Sequence, residues 1–516
     1  MRALLMYPDR DFNLQQELPC HAQALTQDLE LDTLLRAMAS EDEFLFVVAR
    51  AALLSGLQND IDTVLYRQEI VRDCLKNPAV VRQLYDLAVE AIERERKRYF
   101  GFFSHYPAAI LHGSIDLLQM FIGMLRKLRG TADAQAGRFE SRGFTALFAM
   151  LQKEFSDEYF ARVQEHLTEL KFSAGVLVSA ELGKGNEGTN YVLRQVRDSR
   201  PNWFKRILGK GPPGYTFRIA DRDEAGARAL SELRDRGINL AANALAQSAD
   251  HILSFFQMLR TELAFYIGCL NLHDTLAAKG MSMTLPRPEA AGARRHRFSG
   301  LSDICLALSM EGSVVGNTLD ADGKSLVIIT GANQGGKSSF LRSIGLAQVM
   351  MQCGMFVAAE SFAAELCTGL FTHYKREEDA TMESGKFDEE LSRMSDVVDS
   401  LGPNAMLLFN ESFASTNERE GSEIARQVVC ALLERRIKIF FVTHLYQLAH
   451  GFFDRNMGDA IFLRAERRAD GTRTFRLVEG EPLGTSYGED LYRKVFAVGT
   501  EEQHGIASGC GTAQID

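Results

Sequence analysis

The segment GANQGGKS, residues 331–338, has the spacing G-x-x-x-x-G-K-[ST] and sits between the apolar run SLVIIT (325–330) and a helix starting near Lys337. In that setting Gly331, Gly335 and Gly336 let backbone N–H groups wrap a polyphosphate. Lys337 reaches β- and γ-phosphate oxygens, Ser338 ligates Mg²⁺, and Asn333 and Ser339 complete the loop. A second apolar run, AMLLF (405–409), delivers Asn410 and Glu411. Glu411 is the group to orient or deprotonate an attacking water. Asn410 is an amide where such sites usually carry a carboxylate: it keeps an acceptor oxygen but loses a negative charge beside the cation. The expected ligands are ATP and Mg²⁺, and the expected chemistry is hydrolysis of ATP, slowed by Asn410; the alternative is a site that tolerates the amide with no regulatory meaning. His444 follows a third apolar run, IKIFFV (437–442). Its ring can approach the γ-phosphate as a sensor; a structural histidine is the competing reading.

Two further segments have an interaction reading and a plainer one. In ESGKFDEELSRM (383–394), Phe387, Leu391, Met394 and Val398 share a helix face, with Asp388, Glu389 and Glu390 at the helix start. Ser384 and Gly385 then stand where a hydroxyl and backbone donors can meet an anion, or where an ordinary helix is capped. RQVRDSRPNWFKRILGK (194–210) sets Arg194, Arg197, Arg200, Lys205, Arg206 and Lys210 against the single acid Asp198, and carries Trp203 next to Phe204. Cations beside a stacking surface suit a nucleic-acid strand; a solvated loop with an inward-packed aromatic pair is the alternative. RERKR (94–98) reads as a helix face with interleaved acids.

Positioning these groups falls to two kinds of architecture. Residues 1–290 have helical periodicity, for instance Leu31, Leu34, Leu35 and Met38, and a proline-free stretch over 225–279. As one helix that stretch would extend roughly 80 Å, a lever or arm, unless Gly237 and Gly268 break it. GVLVSAELGKG, TNYVLRQV and GYTFRIA mark a small β-insertion around 171–220. From 291 to 516 buried strands alternate with helices, and IFLRAERRADGTRTFRLVE closes with a hairpin turned at Asp470-Gly471. The fold class expected is an α-helical core or lever domain with a small β-insertion, followed by an α/β P-loop nucleotide-binding domain. The chain has 516 residues, is 46% hydrophobic and 24% charged, and carries a net charge of −10. That is ordinary for a globular protein and excludes an overall basic nucleic-acid coat. No run of about 20 uninterrupted apolar residues suggests a membrane span, and the charged N-terminus does not look like a secretory signal. The eight cysteines show no CxxC or Cys/His cluster, so no metal cluster or disulfide framework is expected. A cytoplasmic location follows.

These elements in this order resemble the ATPase of the MutS family, relatives of ABC-type ATPases. LVIITGANQGGKSSFLRSIGLAQVMMQCGMFVAAE is similar to that family's phosphate loop and following helix, NESFASTNEREG to its Walker B segment, FFVTHLYQLA to its switch-histidine segment and GTSYGEDL to its SYG motif. LDTLLRAM and TVLYRQEIVRDCL resemble its helical core. The resemblance implies an ABC-type ATPase domain and a homodimer with head-to-tail composite ATP sites. Ser384 and Gly385 of one subunit then face ATP held by the other, with Ser415 and Thr416 near the seam. Lys386 departs from the family signature, where serine and threonine are expected. The chain starts almost at the helical core, so conventional mismatch reading through a Phe-x-Glu wedge is not expected. The reading is a DNA-clamping ATPase; the alternatives are an ATP-gated RNA or ribonucleoprotein module and a low-turnover protein scaffold.

Overall fold

The computed structural model describes residues 1–99, 106–173, 175–194, 218–220, 222–376, 385–468 and 470–484. It divides into two compact units: Met1–Leu4 with Asn77–Leu263, and Leu5–Lys76 with the chain from Ala264 onward.

The first unit is built from helices. Pro78–Tyr99 and Pro107–Gln135 each begin at a proline, a residue preorganised for the first helical turn because its missing N–H has no partner to lose there. Arg142–Glu154 and Asp157–Glu169 begin after Ser141 and Ser156, whose hydroxyls accept from Phe144 N and Tyr159 N at 3.3 and 3.1 Å. Pro107–Gln135 is apolar and long enough to pass for a membrane span by composition. In this unit it buries Leu111, Ile115, Leu118 and Phe121, the last stacked on Phe256 with ring centroids 5.8 Å apart. Strands β1 (Leu177–Leu182) and β2 (Gly188–Arg194) form one antiparallel hairpin. The helix Glu224–Ala278 is continuous through Gly226, Gly237 and Gly268. Gly237 is there for close approach: a Cβ would come within 2.5 Å of a Val178 methyl on β1.

The second unit holds two sheets. One has four strands in the order β3 (Arg287–Glu289), β7 (Ser361–Glu365), β4 (His296–Leu301) and β5 (Asn317–Asp320). The other has six. Its strands are β6 (Leu326–Gly331), β8 (Leu370–Tyr374), β9 (Met406–Asn410), β10 (Lys438–Val442), β11 (Ala460–Arg467) and β12 (Arg473–Glu479), in the spatial order β12-β11-β6-β10-β9-β8. All neighbours are parallel except the β11–β12 hairpin. Near-continuous apolar strands such as β6, β9 and β10 belong in the middle of a sheet covered on both faces. Here Ile328, Leu407, Phe409, Ile439 and Phe441 pack with Val429, Leu432 and Leu448 from the helices Glu418–Glu434 and Tyr446–Phe453. The helix Lys337–Gln352 is buried almost throughout. Gly345 on it lies between Leu408 of the sheet and Leu29, and its Gln352 donates to Leu57 O and Cys367 O at 2.8 and 3.1 Å. The helices Ala22–Asp28, Leu31–Ala39 and Glu43–Gly56 therefore belong to this unit. They are three pieces because Glu30, Ser40 and Glu41 adopt positive φ, which a helix cannot continue through.

Candidate active site

Parallel register puts the chemically promising side chains at one edge. On β10, Val442 pairs with both Ile329 of β6 and Asn410 of β9, and Asn410 pairs with Tyr374 of β8. The residues that follow these strands, the loop after Gly331, Glu411, His444 and Lys375, all emerge at the C-terminal edge of the parallel sheet, where such folds bind ligands.

The phosphate loop turns through positive φ at Gly331 (108°), Gln334 (58°) and Gly336 (87°), the last being the N-cap of Lys337–Gln352. Glycine adopts these angles without steric cost. Lys337 is buried, and its Nζ donates to the carbonyls of Gly331 and Ala332 at 3.1 and 3.0 Å. Burial pushes its pKa down, Glu411 opposes that shift, and Arg473 adds to it. Arg473, reaching over from β12, donates to Asn333 O at 2.7 Å and holds the loop from outside. Ser338 Oγ donates to Asn410 Oδ1 at 3.1 Å, so the amide at 410 fills the acceptor position expected of it. Glu411 has φ 56° and its N–H donates to Val442 O at 2.9 Å. His444 Nε2 is 3.1 Å from Glu411 Oε1. That hydrogen bond is the leading cause holding the Glu411 carboxyl below the usual carboxylate range; burial opposes it, and the nearby charges of His444, Lys337 and Lys375 reinforce it.

A cleft of about 430 Å³ brings together Asn333, Gly335, Gly336, Lys337, Ser338, Ser339 and Glu411. Asn410 lines an adjoining cavity that also touches Ser338, Ser339 and Lys375. Gly385 is the N-cap of the helix Lys386–Ser400 and does not line the cleft of its own chain. Arg194 ends β2, exposed, and donates to Ser179 Oγ at 2.9 Å. Ser384, Arg197, Arg200, Trp203, Lys205 and Arg206 lie outside the described residues, as does SYG.

Sequence reading missed the apolar wall of the cleft. Phe475 and Met310 are 49% and 44% exposed and border it together with Val315. Phe475 has φ 59°, which turns it out of the β12 alternation so that it lies against Gly336. Asn317 fixes this arrangement: its Nδ2 donates to Phe475 O at 3.2 Å and its Oδ1 accepts from Leu477 N at 2.8 Å. The only signal in the sequence was an aromatic residue flanked by Arg473, Thr474 and Arg476 in the hairpin strand. Lys375 was missed because it follows a strand with no motif of its own.

The donor set fits Mg²⁺ arriving with a nucleotide. A hydroxyl and an amide oxygen face one another at the loop, and oxygen ligands suit this hard cation, which ordinarily keeps several waters and substrate phosphates in its shell. Among the described residues, no group of three His, Cys, Asp or Glu side chains is placed to hold a metal by itself.

Comparison with known proteins agrees with this geometry. Residues 59–279 match the family described as MutS2 N-terminal domain, and residues 327–496 match MutS domain V. The chain is 28% identical to Endonuclease MutS2 of Thermus thermophilus over 230 residues, 44% of this chain and 30% of that protein. It is 27% identical to MutS protein homolog 4 of Mus musculus over 275 residues, 52% of this chain and 27% of that protein. With DNA mismatch repair protein MutS of Syntrophomonas wolfei the identity is 30% over 191 residues, 36% of this chain and 22% of that protein. The chain thus spans less than a third of the length of each of these relatives. With a MutS2-type N-terminal region followed by a domain V that carries the phosphate loop, Glu411 and His444, the chain belongs to the MutS family.

Proposed function

We propose that this protein is a MutS-type ATPase that couples binding and slow hydrolysis of Mg²⁺–ATP to clamping of DNA. The observation that carries the reading is the convergence of Lys337, Ser338, Glu411 and His444 from three neighbouring strand ends onto one edge of the sheet. Backbone N–H groups at the start of Lys337–Gln352 and the Lys337 amine bind the phosphates. Phe475, Met310 and Val315 offer the base an apolar wall. Ser338, with the Asn410 amide oxygen next to it, would hold Mg²⁺, and the ion would supply positive charge to offset that of the phosphates. Glu411, oriented by His444, aligns a water with the γ-phosphorus and takes up its proton as the new P–O bond forms and the bond to ADP breaks. Asn410 supplies no charge, which supports slow turnover.

Clamping rests on separate observations. The names of the relatives, DNA mismatch repair protein MutS and Endonuclease MutS2, speak for DNA, as does the exposed Arg194 at the start of the cationic segment. The unbroken helix Glu224–Ala278 has the length a lever needs. A homodimer with composite sites would bring Gly385 of one subunit to the nucleotide of the other. The test is steady-state ATP turnover with and without linear, mismatched and branched DNA, with Lys337→Ala as the background. Stimulation by one DNA form supports the clamp and names its substrate shape. Turnover indifferent to all of them moves the assignment to the RNA-binding or scaffold alternatives, and turnover no greater than that of Lys337→Ala refutes the ATPase itself.

A further inference from the structure

The turn that presents Glu411 is strained. Glu411 (φ 56°) and Phe413 (φ 62°) both occupy the left-handed region, which is sterically costly for non-glycine residues. Such a turn persists where its surroundings over-determine it, and these surroundings include a buried polar cluster. Ser412, between the two strained residues, has its Oγ 2.8 Å from His373 Nδ1 and 2.5 Å from His373 O. His373 Nε2 is 3.1 Å from Glu390 O, and Glu390 Oε1 accepts from Phe413 N. His373, Ser412 and Glu390 are each no more than 2% exposed. They come from β8, the turn and the helix Lys386–Ser400 respectively.

Proton placement follows from the partners. Burial, reinforced by Arg393, lowers the His373 pKa to about 4, so its ring is neutral near pH 7. The Glu390 carbonyl can only accept, so the single ring proton sits on Nε2. Nδ1 then accepts from the Ser412 hydroxyl, whose one proton is shared between Nδ1 and His373 O. The ring also stacks on Phe413, with centroids 5.6 Å apart and planes 21° from parallel. Polar groups this deep favour one arrangement over others, because each displaced partner leaves an unpaired atom in an apolar core.

We propose that His373, Ser412 and Glu390 are positioning residues: they hold Glu411 toward the phosphate cleft and tie its strained turn to the helix Lys386–Ser400, at whose N-cap Gly385 stands. This rests on the ATPase reading above. None of the three touches the reacting atoms, so their removal acts on turnover and spares nucleotide binding.

The experiment uses the full chain and measures kcat and KM for Mg²⁺–ATP, affinity for a fluorescent ATP analogue, and thermal melting. Ser412→Ala and Glu390→Leu are each expected to lower kcat about 10- to 100-fold, the scale of a small misplacement of a catalytic group, with analogue affinity unchanged within about threefold. Glu390→Gln keeps an acceptor for Phe413 N and is expected to restore most of the turnover. The proposal is overturned if Ser412→Ala and Glu390→Leu turn over like wild type, if kcat and analogue affinity fall together, or if Glu390→Gln is as impaired as Glu390→Leu while melting like wild type. Should Glu390→Leu fail to fold, Ser412→Ala decides by the criteria above, and a Glu390→Gln that melts like wild type but loses about tenfold or more in kcat overturns the proposal. Wild-type turnover no greater than that of Lys337→Ala would overturn the ATPase reading and this inference together, whereas an active wild type with an unaffected Ser412→Ala overturns the inference alone.

Discussion

Asn410→Asp changes one atom type at the site and tests whether the amide sets the pace of the enzyme. Asn410 Oδ1 lies 3.1 Å from Ser338 Oγ, and aspartate keeps that shape while adding a full negative charge. A hydrogen bond to a charged acceptor contributes roughly 1.5–3 kcal/mol against about 0.5–1.5 kcal/mol for a neutral one. The Ser338 hydroxyl donates with and without the metal and drops out. The carboxylate therefore gains about 1–1.5 kcal/mol for a metal-bound water that would donate to it only in the Mg²⁺–ATP state, close to a tenfold lower Mg²⁺ half-saturation. Repulsion between residue 410 and Glu411 acts with and without the metal, so it drops out of that ratio. It appears instead as a higher Glu411 pKa and an acid limb moved to higher pH. The assay is steady-state turnover at saturating ATP across a Mg²⁺ series, for wild type and Asn410→Asp side by side. A fall of about tenfold in half-saturation, with turnover at limiting Mg²⁺ rising in step, is the expected outcome. Superimposable Mg²⁺ curves with equal plateaus would refute the reasoning and leave Asn410 a tolerated substitution without mechanistic weight.

Glu411→Gln preserves the side-chain shape and should lower kcat by about 100- to 1000-fold while ATP affinity changes little; parallel loss of affinity would show that Glu411 binds rather than catalyses. His444→Ala removes the hydrogen bond that leads in holding the Glu411 carboxyl low. With burial then opposed only by the remaining charges, the folded-state pKa rises, and because catalysis needs the carboxylate, the acid limb of the kcat–pH profile should move to higher pH. A limb that stays put contradicts the pairing. Gly421→Ala would set a Cβ 2.2 Å from Phe413 O, so the helix Glu418–Glu434 must shift away from the turn. A loss of about 1–3 kcal/mol in chemical denaturation, accompanied by reduced turnover, is expected, and an unchanged midpoint would mean the approach is looser than this geometry.

The phosphate loop was legible because its chemistry is local: glycines at fixed offsets, a lysine and a serine determine the backbone path between one strand and one helix. The same holds for the strands 326–331, 406–410 and 438–442, whose unbroken apolar runs announce burial on both faces, and for Glu411 and His444, which stand directly beyond two of them. The helix 224–278 was legible as a period but not as a continuous rod. Whether Gly237 interrupts it depends on Val178, which fills the space a side chain would need.

The amino-acid sequence by itself therefore determined the phosphate loop, the apolar strands that flank it, and the carboxylate and histidine at strand ends. Tertiary structure alone decided the strand order that seats β10 between β6 and β9, and so brings His444 within 3.1 Å of Glu411. It also decided that Phe475 lies against Gly336, that the helices over 22–56 cover the phosphate-loop helix, and that His373, Ser412 and Glu390 meet behind the turn that carries Glu411. The physical reason is range. Backbone geometry and hydrophobic period act over a few residues and are written in order along the chain. Sheet order, close approach and buried polar partnerships join residues tens to hundreds of positions apart, and they exist only once the packed core has fixed where each strand and helix lies.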